Sequence, residues 1–80
     1  TVKREEVSAM PLSAADKGGT FYIHKITGKD ETQRFLASLG FVIGETVTVI
    51  SEMGGNMILG VKQSRIALDK KMAGRILVQP

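Results

Sequence analysis

The chain has 80 residues, which allows one hydrophobic core and burial of roughly 60–65% of the unfolded surface without covalent staples. It contains no cysteine, which excludes a disulfide framework and any thiolate metal site and fits a reducing compartment. The net charge of +3 is uneven: residues 1–61 are close to balanced, and the surplus sits on Lys62, Arg65, Lys70, Lys71 and Arg75. That clustering is either a solvated face or a patch for an acidic partner or phosphate. No run approaches ~20 apolar residues, so no membrane-spanning helix is expected, and no signal-peptide core opens the chain. A start at Thr1 rather than Met implies processing or trimming.

Residues 1–9, with the mixed charges Lys3-Arg4-Glu5-Glu6, carry too few apolar groups to pack and are expected to form a flexible tail. Met10-Pro11-Leu12 suits a short edge segment, because Pro removes a ladder donor. Residues 13–16 predict one helical turn capped by Ser13 and ended by Gly18-Gly19. Residues 20–27 form the first clear strand, rich in aromatic and β-branched side chains. Strict alternation places Phe21 and Ile23 on one face and Ile26 on the other, so a bulge near His24-Lys25 is needed to return Ile26 to the core.

Residues 30–44 predict a capped helix with a hard stop. Asp30 is the expected N-cap, with Gln33 reaching back to complete a capping box. Thr32, Phe35, Leu36 and Leu39 share one face, and Gly40 stands where a left-handed residue ends a helix. Phe41 takes the position that folds back on the last turn, as a core residue or as the start of a docking surface. Gly44 permits a second bend.

Strand 46–51 then points Val47 and Val49 inward, and residues 52–56 have the composition of a hairpin loop. Met57, Leu59 and Val61 share a face, Lys62-Gln63 makes a tight turn, and strand 64–68 follows with Ile66 and Leu68 in phase. Asp69 caps one turn through Met72 and Ala73, Gly74 ends it, and a last strand over 75–78 contributes Ile76 and Val78. The fold class is therefore mainly β with one short helix and one helical turn: a small SH3-like barrel of about five strands, with an OB-type barrel as the rival.

The side chains point away from catalysis. His24 is the only histidine, no serine sits in a nucleophile elbow, and the carboxylates are scattered or engaged as caps. A ferrous or zinc site draws on several converging ligands, so no metal site and no cofactor are expected. Nucleic-acid binding has the basic C-terminal quarter in its favour but lacks spare aromatic platforms. Protein binding remains, with Met53 and Met57 flanking the glycine loop as adaptable contact residues.

The segment Arg34-Phe35-Leu36-Ala37-Ser38-Leu39-Gly40-Phe41-Val42-Ile43-Gly44, followed by Thr46-Val47-Thr48-Val49, resembles the hallmark of the FeoA family, the ferrous iron transport protein A proteins. Arg65-Ile66-Ala67-Leu68, Met72-Ala73 and Ile76-Leu77-Val78 resemble that family's closing pattern, and the likeness covers residues 10–78. Phe35 stands where Leu is usual, and Lys62-Gln63 lacks a frequent Gly. The resemblance implies one SH3-like domain over residues 10–80. It further implies a non-enzymatic accessory, expected to act in the cytoplasm, to bind and regulate the membrane ferrous iron permease FeoB and to be recruited by it to the inner face of the membrane. The expected partner-binding residues are the apolar Phe41, Met53 and Met57, rimmed by Lys70, Lys71 and Arg75. The same module closes metal-dependent transcriptional repressors, and a regulatory domain of that type is the alternative, alongside a small basic barrel on nucleic acid. No helix-turn-helix precedes the module here, which favours the freestanding type.

Overall fold

The computed structural model describes residues 9–80. Apart from Ala9, the expected tail lies outside these residues. Nine elements follow in order: β1 (Met10–Pro11), a 3-10 turn (Leu12–Ala14), β2 (Thr20–Ile26), α1 (Asp30–Ser38), β3 (Thr46–Met53), β4 (Asn56–Val61), β5 (Ser64–Asp69), α2 (Lys70–Ala73) and β6 (Ile76–Gln79). The strands form one antiparallel sheet in the order β1-β6-β2-β3-β4-β5. Its sixth strand is the two-residue edge segment at Met10-Pro11. No ladder joins β1 to β5; α2 packs against the 3-10 turn and β4, bridging the open side of the sheet.

The inner face follows the period-2 pattern. Val47 and Val49 of β3, Met57, Leu59 and Val61 of β4, and Ile76 and Val78 of β6 are all buried. On β2 the register against β6 slips between Ile23 and Lys25, which makes His24 the bulged residue and returns Ile26 to a partly buried place against the core. A second bulge at Ile50, between Val49 and Ser51 on β3, had no counterpart in the sequence reading.

Several local expectations are corrected. Lys29, not Asp30, is the N-cap of α1, and it makes no side-chain cap bond. Asp30 is the first helical residue, where its charge meets the positive end of the helix dipole. Gln33 donates its Nε2–H to the Gly28 carbonyl at 2.9 Å instead of closing a capping box. The 3-10 turn begins at Leu12 behind Pro11, so Ser13 lies inside it and caps nothing. The glycine loop is shorter than expected. Strands β3 and β4 run up to Met53 and Asn56, and Gly54-Gly55 alone turn the chain, both at the positive φ that a type I′ turn requires. Phe35 is half exposed, although the helical spacing places it on one face with Thr32, Leu36 and Leu39.

Other details match the sequence. Gly40 is left-handed at φ 107, its N–H donates to Ala37, and the Phe41 N–H donates to Leu36, which together form a Schellman stop. Asp69 caps α2, accepting the Met72 N–H on Oδ1 at 2.7 Å. Lys62-Gln63 does make a tight turn, with Lys62 at φ 54 doing what Gly or Asn usually does.

Candidate functional site

Phe41 and Met57 are both fully buried, which corrects the expectation that they are exposed contact residues. Phe41 closes the core under the end of α1, and Met57 faces Leu68 across the β4–β5 ladder. Neither offers surface to a partner. Met53 does, being 66% exposed where β3 meets the glycine turn. Lys70 lies beside that hairpin: its N–H donates to the Gly55 carbonyl, and its ammonium sits 3.0 Å from Glu52. Both partners of this ion pair are about half exposed, so its net worth is roughly 0–1 kcal/mol. Lys71 and Arg75 line a separate shallow hollow with Thr32, Asp69 and Met72. The structure thus splits the expected set into a hairpin tip, Met53 with Lys70, and a cationic hollow, Lys71 with Arg75.

The sequence reading missed a third surface. Between α1 and the end of β2 runs an open, mostly apolar groove of about 570 Å³. Ile26, Ala37, Val42 and Ile43 line it, Lys25, Arg34 and Gln33 supply polar groups, and buried Phe41 lies behind them. Ile43 is 70% exposed and is the most open large hydrophobe among the described residues. The loop that carries it is held at both ends. The Schellman stop anchors Phe41, while the Gly44 N–H donates to Ile23 at 2.8 Å and the Ile23 N–H to Glu45 at 2.9 Å. Glu45 N–H to Val42 carbonyl closes the turn at 3.1 Å, so Val42 and Ile43 are presented outward by a braced backbone. The signal was in the sequence: three consecutive apolar residues between two turn glycines cannot all face one core.

Among the described residues, no three His, Cys, Asp or Glu side chains come together as metal ligands would. His24 projects from the bulge into solvent. No helix of the described residues is long and apolar enough to cross a membrane.

An antiparallel sheet with a short helix between its second and third strands defines a small β domain of the SH3-like class. The chain belongs to the FeoA domain family, whose profile matches residues 10–80. It is 32% identical over 69 residues to a candidate Fe(2+) transport protein A of Methanocaldococcus jannaschii, covering 86% of this chain and 84% of that protein. The crystal structure of an iron uptake regulatory protein, FeoA, superposes with a TM-score of 0.83 at 32% identity, covering 91% of this chain and 97% of the other. Stenotrophomonas maltophilia FeoA, solved with zinc and described as an SH3-domain protein and candidate ferrous iron transport activating factor, superposes at 0.79 with 28% identity over 89% and 91% of the two chains. A manganese-dependent transcriptional repressor shares the fold at 22% identity and a TM-score of 0.83, over 94% of this chain and 43% of the repressor.

Proposed function

We propose that this chain is a non-enzymatic accessory protein of ferrous iron transport that acts in the cytoplasm by binding the cytoplasmic domain of the permease FeoB. The observation that carries the reading is the family match over residues 10–80. Two features support a binding role. The braced groove exposes Val42 and Ile43 in a setting where burial on a partner is favourable, at about 25 cal/mol per Å² of apolar surface removed from water. Lys25 and Arg34 beside it favour a partner surface that combines apolar and acidic side chains. The hairpin tip with Met53 and Lys70, and the hollow with Lys71 and Arg75, are the other two candidate contacts.

Titration of the permease's cytoplasmic domain with the wild-type chain, Ile43→Asp and Met53→Asp tests the reading and ranks the surfaces. The expected result is saturable binding that Ile43→Asp weakens by at least about tenfold, as loss of a central apolar anchor does. Loss of affinity with Met53→Asp instead moves the contact to the hairpin tip. No binding by the wild-type chain at near-millimolar concentration overturns the proposal.

A further inference from the structure

The two edges of the sheet are unlike. β1 is two residues long and contains Pro11, the usual means of keeping an edge from pairing. β5 is six residues long, contains no proline, and runs in unbroken register along β4. The two-residue turn at Lys62-Gln63 makes Val61 and Ser64 the closing hydrogen-bonded pair, and the alternation of antiparallel ladders then bonds Leu59 with Ile66 and Met57 with Leu68. Arg65, Ala67 and Asp69 consequently turn their main-chain N–H groups away from the sheet. All three residues are exposed, and among the described residues no main-chain acceptor takes their N–H groups.

We propose that the β5 edge pairs with the β5 edge of a second copy of this chain, antiparallel across a twofold axis at Ala67. The charge order along the edge favours a second copy. In an antiparallel pair centred on Ala67, Arg65 of one copy stands directly opposite Asp69 of the other, twice, so the edge is complementary to itself. The small side chain at the axis lets the two backbones approach. The Ala67 residues exchange two hydrogen bonds, and each Asp69 N–H meets the Arg65 carbonyl of the other copy. Asp69 spends Oδ1 on the Met72 N–H, which leaves Oδ2 for the guanidinium opposite. Its carbonyl begins α2 and adds nothing to the pairing.

Four main-chain bonds and two ion pairs over a small area make a weak dimer, with a dissociation constant on the order of 10–1000 µM at low salt. Sedimentation of the full chain from 10 µM to 1 mM, concentrations chosen to span roughly that range, tests it. The expected result is a monomer–dimer equilibrium that weakens several-fold when salt is raised. Ala67→Pro removes only outward N–H groups, so it should leave the circular dichroism unchanged and weaken the dimer about tenfold or more. Arg65→Asp sets two carboxylates opposite each other and should be monomeric, as should Asp69→Lys, which sets two cations opposite each other. Mixing these two variants should restore a heterodimer. A wild-type monomer at every concentration overturns the proposal. So does a dimer untouched by Ala67→Pro, or a mixture that stays monomeric while both variants are folded. If Asp69→Lys unfolds through loss of its cap, Arg65→Asp and Ala67→Pro decide the matter.

Discussion

Phe41 and Ile43 lie two residues apart in one glycine-bounded loop, and their surroundings give them opposite work. Phe41 is sealed under the end of α1, so Phe41→Ala removes a large buried side chain and should cost about 3–5 kcal/mol in urea unfolding. Ile43 is mostly exposed, so Ile43→Asp should change stability by no more than about 0.5 kcal/mol even where it disrupts binding. The two aspartates at the helix starts form a second contrast. Asp69 makes a cap bond of 2.7 Å, and Asp69→Ala should cost about 1 kcal/mol. Asp30 makes no cap bond and interacts only with the helix dipole, so Asp30→Ala should cost about 0.3–1 kcal/mol, and the difference from Asp69→Ala is read by comparing urea midpoints. The sequence suited both positions to capping. Lys29 had the extended backbone of the cap, however, and the placement of one residue decided the matter.

At the scale of elements, β2 turns on one extra residue. His24 acts as a spacer: it sets Ile23 and Ile26 on the inner face although three positions separate them. His24→Ala should therefore leave stability within about 0.5 kcal/mol of wild type, because the side chain is exposed. Deleting His24 should cost several times more, on the order of 2–5 kcal/mol, because it turns one of the two isoleucines to solvent. Thermal unfolding of the pair distinguishes a spacer from a residue valued for its imidazole. The bulge was legible because three apolar residues broke the alternation. The bulge at Ile50 was not, since Val47 and Val49 alternate cleanly before it and the residues after it are polar or exposed.

Across the whole molecule, one core joins every layer, from Leu12 of the 3-10 turn through Leu36 of α1 to Val78 of β6. A single cooperative transition is expected, with fluorescence of Tyr22 and far-ultraviolet circular dichroism giving coincident midpoints in urea. Two separated transitions would show that α1 and its loop unfold apart from the sheet. The cations are a second whole-molecule property. Lys70 is tied to Glu52, Lys71 and Arg75 share a hollow, Arg65 lies on the β5 edge, and Lys62 sits at a turn. A surplus that is contiguous in the chain is therefore divided among an ion pair, a hollow, a strand edge and a turn.

The sequence by itself determined the strands and their inward faces, the Schellman stop at Gly40, the cap at Asp69 and the membership of the family, because these depend on spacing within a few residues. The tertiary structure alone decided which apolar residues at strand ends and in loops face solvent. Met57 lies in the inward phase of its own strand, whereas Met53, in phase with Val47 and Val49, is exposed beyond the bulge at Ile50. The same holds for the groove at Ile43, which exists because α1 and β2, joined by the turn at Gly28, lie side by side with the 41–43 loop between them and solvent. Exposure at such positions depends on what the rest of the chain covers, which local alternation does not specify.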